Sequence, residues 1–167
     1  MNKYLFIRTD RIGDFLLSAI LFKAIKRNDN KSHITVIASK KNFNYIKKNQ
    51  LVDDVILYPD SNFIKKIFFF INNIKKKYDL IGALDGKKRS IYLSLLVKAK
   101  FKILCTYKSI YKKIFNSFFD LILLDKDCSS KIEEINKILN LINYSYEQSD
   151  LNTLETFKES NFFLKLI

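Results

Sequence analysis

The chain has 167 residues, of which 48% are hydrophobic, so it is long and apolar enough for one packed domain and is not a disordered chain. Its formal charge of +13 suits an anionic partner, but the excess of Lys, Ile, Asn and Phe is also what an AT-rich coding sequence would produce. One His and two Cys exclude a zinc site, a Ser-His-Asp triad and a disulfide framework.

Apolar stretches are too short to cross a bilayer, which takes about 20 residues. The longest nearly continuous one covers residues 15–22, and charged residues interrupt the N-terminus where a secretory signal would need an apolar core. We therefore expect a cytoplasmic protein.

The hydrophobic pattern predicts strands alternating with helices along the chain. Strands are predicted at residues 4–7, 33–38, 52–58, 78–84, 101–106 and 121–124, and helices at 14–27, 42–48, 62–77, 87–98, 109–119 and 130–142. A polar loop or linker is predicted at 143–153, and an apolar tail at 162–167. This alternation indicates an α/β fold with a Rossmann-like, doubly wound parallel sheet in the order 3-2-1-4-5.

Scarce residue types cluster in two stretches. The chain has four Arg and three Gly, and three of the Arg and two of the Gly fall within residues 8–14 and 85–90. These stretches follow predicted strands one and four, which are neighbours where the winding of such a sheet reverses. Composition and topology therefore predict a site in one crevice.

Several side chains in these stretches have two interpretations. Asp14 is either a catalytic carboxylate or an ordinary acidic residue at a helix start. Asp10 is either a second active carboxylate or the partner of a neighbouring Arg. The basic run 87–89 either binds an anion or is a solvated helix start. Cys105 and Cys128 are interpreted as a buried small hydrophobe and a loop thiol.

Residues 7–18, IRTDRIGDFLLS, resemble the opening motif of glycosyltransferase family 9, the ADP-heptose:lipopolysaccharide heptosyltransferases. Residues 33–36, 52–56 and 85–90 follow in the family's order, so the similarity covers residues 3–142. It implies the N-terminal half of a GT-B fold, with an acceptor-binding domain at 1–142 and a linker or start of the C-terminal domain at 143–167. The family's donor-binding domain has no counterpart here, so we expect a separate chain to supply it or the fragment to be inactive alone.

The resemblance also implies roles for particular residues. Asp14 corresponds to the general base of an inverting, metal-independent sugar transfer to a lipopolysaccharide core or another surface glycan. Substrate-binding positions implied or suggested by charge are Thr9, Asp10, Arg11, Gly13, Lys87, Lys88, Arg89 and Ser90. No cofactor is expected, because a nucleotide sugar such as ADP-heptose is a substrate held by the other domain. Where the family often has a histidine before the helix near residue 130, this chain has Cys128-Ser129-Ser130.

The expected partner is an anionic glycolipid acceptor, such as a Kdo-bearing phosphorylated lipid core, because guanidinium groups bind carboxylate and phosphate in a planar fork. A non-catalytic anion- or glycan-binding module is the alternative. The lysines of the predicted helix 62–77 have two interpretations. They either contact the inner membrane surface peripherally or form the solvent-exposed edge of a helix that packs on the core. Nucleic acid is not expected, because no binding motif occurs and the arginines converge on one crevice.

Overall fold

The computed structural model describes residues 1–59, 69, 72 and 76–153. The strands are β1 (Lys3–Arg8), β2 (His33–Ala38), β3 (Asp54–Leu57), β4 (Lys77–Ala83), β5 (Lys98–Thr106) and β6 (Leu121–Leu124). The helices are α1 (Ile12–Asn28), α2 (Phe43–Lys47), α3 (Lys88–Leu96), α4 (Ser109–Phe115) and α5 (Lys131–Leu141), with 3-10 turns at Asp125–Asp127 and Gln148–Leu151.

The six strands form one sheet in the order β3-β2-β1-β4-β5-β6, and every pairing is parallel. The predicted Rossmann-like, doubly wound α/β fold is therefore confirmed, with β6 extending the predicted five-strand order. β1 pairs with β2 on one side and β4 on the other, so the winding reverses beside β1. The carboxyl ends of β1 and β4 form the crevice in which open α/β sheets bind ligands.

Side chains of β1 point alternately into two hydrophobic cores, one on each face of the sheet. Phe6 packs with Phe22 of α1 at a ring-centroid distance of 4.9 Å, on the face that α5 also covers. Leu5 lies on the opposite face with Leu93 of α3. Gly82 of β4 leaves room for the Phe6 ring, because an added Cβ there would lie 2.8 Å from Phe6 Cδ1.

Residues 143–153, expected to be a polar loop or linker, pack against α1. Asp150 is fully buried, and its carboxylate oxygens accept from Arg27 Nε and Nη2, each at 3.1 Å. Tyr144 Oη lies 3.0 Å from Tyr4 Oη of β1. The boundary drawn at residue 142 stays a prediction, but residues 143–153 contact the same core as those before them.

Two predicted segments cannot be compared with the structure. The helix at 62–77 lies outside the described residues except at 69, 72 and 76–77, and Lys77 begins β4. The apolar tail at 162–167 also lies outside them. Within the described part of the chain, no helix has the length and apolar character needed to span a membrane.

Candidate functional site

Arg8, the last residue of β1, is buried and braces the crevice. Its Nε and Nη2 donate to the backbone oxygen of Asp14 at 3.1 and 2.7 Å. Its Nη1 donates to the backbone oxygen of Leu84 and lies 3.1 Å from Asp10 Oδ2. The guanidinium therefore connects the end of β1, the start of α1 and the end of β4. These contacts hold the three segments that form the crevice in fixed positions.

Thr9 joins the two stretches that the sequence singled out. Its backbone N and its Oγ1 both donate to Asp85 Oδ2. Oγ1 also accepts from Arg89 Nη2 at 2.7 Å, and Lys87 Nζ donates to the Thr9 backbone oxygen at 2.9 Å. The predicted convergence of 8–14 and 85–90 is thus present in the structure. Asp85 is not among the predicted site residues. Its position directly after a buried strand was the sequence signal that could have identified it.

A basic cavity of about 500 Å³ opens above these contacts. It is lined by Thr9, Asp10, Arg11, Asp14, Ser39, Lys40, Lys41, Lys87 and Arg89. Five cationic side chains therefore face two carboxylates. Lys40 and Lys41 were missed in the sequence; they follow β2, whose carboxyl end lies at the same edge of the sheet as that of β1.

An acidic cavity of about 160 Å³ lies on the other side of the two carboxylates. Its lining comprises Arg8, Asp10, Asp14, Leu84, Asp85, Gly86, Cys105, Thr106, Tyr107, Asp125, Lys131 and Glu134. Asp10 and Asp14 line both cavities and so form the boundary between them. Among the described residues, no group of three or more His, Cys, Asp or Glu side chains is arranged to hold a metal ion.

Asp14 is half-buried in the first turn of α1. Within the described ranges, the one hydrogen bond to its carboxylate comes from Arg11 N, at a long 3.4 Å. The Asp14 carboxylate is therefore only weakly bonded by its own helix, and Asp14 lines both cavities. This geometry fits both a base and a helix-start residue, so the role of Asp14 stays a prediction.

Asp10 pairs with Arg8, as one of the two sequence interpretations held. Burial raises the pKa of the Asp10 carboxyl; the Arg8 guanidinium opposes this shift, and the nearby carboxylates of Asp14 and Asp85 add to it. Its Oδ1 is buried without a hydrogen-bond partner among the described residues. Asp10 is thus held mainly by one ion pair at the boundary of the two cavities.

Of the two positions near the site that carry glycine, the backbone requires glycine at one and not at the other. Gly86 has φ +61°, and an added Cβ would lie 3.3 Å from the backbone oxygen of Cys105, so the fold itself requires glycine there. At Gly13 an added Cβ would meet nothing within 4 Å. The fold therefore leaves open space over Gly13, on the exposed turn beside Asp14.

Two predicted binding residues lie away from both cavities. Lys88 is exposed and lines a separate groove between α3 and α4 with Tyr92 and Tyr111. Ser90 is 1% exposed, so its side chain is enclosed at the base of α3. Arg89, in contrast, reaches the basic cavity, and its guanidinium lies over the ring of Tyr58 at 4.8 Å.

Both cysteines are free thiols, without a disulfide. Cys105 is buried in β5, as expected, and lies at the wall of the acidic cavity. Burial, and secondarily the Glu134 carboxylate, raise the pKa of its thiol well above the ordinary value. Cys128 is partly exposed, and Lys137 Nζ lies 3.6 Å from its Sγ.

Fold and site together define a Rossmann-like α/β domain with a charged cleft at the switch point of its sheet. No protein-family model matches the chain, and no curated protein matches its sequence.

Solved structures do match the chain. E. coli heptosyltransferase WaaC with ADP matches 92% of this chain over 52% of its own, at 15% identity and TM-score 0.72. A glycosyltransferase of family 9 from Veillonella parvula matches 93% over 42%, at 17% identity and TM-score 0.64. E. coli ADP-heptose lps heptosyltransferase II matches 76% over 36%, at 16% identity and TM-score 0.56.

These similarities confirm the predicted resemblance at the level of fold: the chain has the α/β architecture of GT-B glycosyltransferases of family 9. The chain spans about half or less of the length of these structures.

Proposed function

We propose that this chain is the acceptor-binding half of a heptosyltransferase-like glycosyltransferase that moves a sugar from a nucleotide sugar to an anionic glycan. The proposal rests mainly on one observation: Asp14 lines a basic cavity at the switch point of the sheet. A general base must lie within hydrogen-bond reach of its substrate, and the open cavity beside Asp14 gives an acceptor hydroxyl that access.

Asp14 accepts the proton of the acceptor hydroxyl as that oxygen attacks the anomeric carbon of the donor sugar. The bond from the anomeric carbon to the nucleoside diphosphate breaks as the new glycosidic bond forms, and the configuration inverts. The diphosphate leaves with the bonding electron pair. The nucleotide sugar is held by a second domain, in a separate chain or in a longer form of this one.

The basic cavity holds the anionic part of the acceptor. Lys87 and Arg89 are fixed by their hydrogen bonds to Thr9, so their charges are already ordered before a ligand arrives. Lys40 and Lys41 add charge from the end of β2. A carboxylate- or phosphate-bearing sugar suits this site because a guanidinium binds such groups in a bidentate manner.

The test is a transfer assay that combines this chain with a nucleotide-sugar-binding domain, ADP-heptose and a phosphorylated Kdo-lipid acceptor. Asp14→Asn should lower the transfer rate by about a hundredfold or more, the usual contribution of a general base. Asp54→Asn is the control, because Asp54 is the first residue of β3. It therefore lies at the amino-terminal ends of the strands, whereas the candidate site lies at their carboxyl ends. Unchanged transfer with Asp14→Asn would remove Asp14 from the mechanism.

A second candidate function is anion or glycan binding without catalysis. It is favoured by the basic cavity, which residues of this chain line by themselves. Titration of the chain with a soluble phosphorylated Kdo fragment separates the two functions. Binding that depends on Lys87 and Arg89, in a protein that gives no transfer with any donor domain, would favour the binding module.

A further inference from the structure

The stretch from Gly86 to Phe119 is basic throughout. It contains nine Lys or Arg residues and no Asp or Glu. The stretch includes α3 and α4, which cover one face of the sheet beside β4, β5 and β6. Of these nine residues, Lys88, Lys112 and Lys113 lie on the two helices and outside the basic cavity. Lys112 pairs with Asp127 at 2.8 Å.

The same two helices expose large apolar side chains. Tyr92 and Leu96 lie one helical turn apart on α3, and Ile110 and Ile114 lie one turn apart on α4. All four are between 52% and 56% exposed. Most exposed apolar residues of folded proteins are scattered singly, whereas a contiguous patch marks an interaction surface.

A groove of about 220 Å³ joins the two helices into one surface. It is lined by Lys88, Ile91, Tyr92, Tyr111, Ile114 and Phe115. Lys88 precedes Tyr92 by one turn, so charge and apolar surface follow each other along α3. We use the name α3–α4 face for Lys88, Tyr92, Leu96, Ile110, Lys113 and Ile114.

We propose that the α3–α4 face docks on an anionic lipid bilayer. Surfaces that lie in a membrane interface combine aliphatic and aromatic side chains with surrounding Lys, and the headgroups of anionic lipids attract those lysines. Lys can extend its ammonium to the headgroups while its stem and the neighbouring Ile and Leu enter the acyl region. A nucleic acid fits less well, because its phosphates would leave the apolar side chains uncovered.

This inference differs from the membrane contact predicted for residues 62–77, which mostly lie outside the described part of the chain. It also does not depend on sugar transfer, since none of its residues lines the two cavities. The face does lie next to the site: Tyr107 lines the acidic cavity, and Lys108 Nζ lies 5.5 Å from the ring centroids of both Tyr107 and Tyr111. A docked bilayer would thus lie next to the site edge.

The test is flotation of the full chain with vesicles of phosphatidylcholine, with or without phosphatidylglycerol. Binding should require phosphatidylglycerol and weaken with salt. Lys88→Glu with Lys113→Glu, and separately Ile110→Ser with Ile114→Ser, should each weaken partitioning by about tenfold or more. These positions are exposed, so the variants should fold, which circular dichroism checks.

Matched controls carry the same changes elsewhere on the surface. Lys31→Glu with Lys47→Glu removes the same charge, and Leu17→Ser with Leu151→Ser removes exposed apolar side chains; both should partition like the parent chain. Equal binding to neutral vesicles, or full binding by both α3–α4 variants, would overturn the proposal. Self-association that Ile110→Ser with Ile114→Ser abolishes, without vesicle binding, would assign the face to a second copy and overturn it too.

The proposed acceptor site has an independent readout. Titration with the soluble phosphorylated Kdo fragment should be unchanged in the α3–α4 variants, whatever the vesicles show. Loss of vesicle binding with intact fragment binding therefore tests the face alone, and loss of fragment binding in Lys87→Ala tests the acceptor site alone.

Discussion

Arg89 Nη2 donates a hydrogen bond to Thr9 Oγ1 at 2.7 Å, across the gap between the loops that follow β4 and β1. These residues are 80 positions apart in the chain. The contact fixes an arginine at the wall of the basic cavity before any ligand is present. Ordering of this kind reduces the entropy that a binding side chain loses when the ligand arrives.

The role of Arg8 can be tested by Arg8→Lys. A single ammonium group cannot replace a guanidinium that donates to Asp14 and Leu84 backbone oxygens and pairs with Asp10. We expect urea denaturation to show a loss of about 2–4 kcal/mol of unfolding free energy, because buried acceptors lose their donor.

Arg11→Lys is the matched control for this substitution. Arg11 is exposed, and surface substitutions usually change stability by less than about 0.5 kcal/mol. Equal stability losses in the Arg8 and Arg11 variants would contradict the bracing role.

Gly13→Ala and Gly86→Ala should have opposite consequences. Gly13 has open space and lies in the first turn of α1, so alanine there should leave stability unchanged or raise it by up to about 1 kcal/mol. Its added methyl group should weaken binding of the Kdo fragment, because it occupies space beside Asp14. Gly86→Ala should instead destabilise the fold by more than about 1 kcal/mol, since φ is positive there.

Thermal denaturation combined with fragment titration checks both glycine variants. Unaltered fragment affinity in a stable Gly13→Ala protein would show that the acceptor does not approach this backbone.

Much of the fold could be predicted because its signals are local. The alternation of apolar strands and helices, and the fixed handedness of their connections, are sufficient for the parallel order around β1. Strand ends were less predictable: β5 begins at Lys98, before the apolar run, because its polar start pairs with Lys77 and Tyr78 of β4. When a polar segment is a strand because a neighbouring strand pairs with it, its own hydrophobic pattern does not predict the strand.

The convergence of residues 8–14 and 85–90 could be predicted from the sequence, but the individual contacts between them could not, for a similar reason. The small number of arginines in the chain drew attention to Arg8. It did not show that Arg8 donates to the backbone oxygen of Leu84, 76 residues later. Lys40 and Lys41 were two of many lysines, and only the position of β2 in the sheet brings them to the cavity. The direction of a side chain, which separates Lys88 from Arg89, is set by helix packing that composition does not encode.

The carboxyl groups of Asp10 and Glu133 should contribute to the pH dependence of stability with opposite signs. The pKa of Asp10 is raised above 3.8, so the folded state binds more protons than the unfolded state as pH rises from that value. Its contribution is fully present at lower pH and is lost as pH rises through the folded pKa. Asp10→Asn should therefore remove a decline in stability above pH 3.8.

Glu133 supplies the contrasting case. Hydrogen bonds from Lys137 and Ser129 lower the pKa of its carboxyl from 4.5 to about 2. Its contribution is present above pH 4.5 and is lost as pH falls toward 2, so Glu133→Gln should flatten the acid side of the profile. Urea midpoints measured from pH 2 to 6 check both signs, and same-direction changes in the two variants would contradict the assignment.

Asp150→Asn should loosen residues 143–153 from α1. The buried Asp150 carboxylate accepts from Arg27 and from Glu147 N at 2.8 Å, and an amide can replace only part of this set. Removing a buried acceptor costs about 1–3 kcal/mol, and the loss should appear as faster amide hydrogen exchange in residues 144–153.

Glu147→Gln provides the comparison for Asp150, because the Glu147 side chain is 57% exposed in its pair with Arg27. Such surface pairs contribute about 0–1 kcal/mol, so exchange in residues 144–153 should change little. If Asp150→Asn left that exchange unchanged while Glu147→Gln accelerated it, the exposed pair and not the buried one would hold this segment on α1. The folded domain would then still extend past residue 142, but through its surface and not through its core.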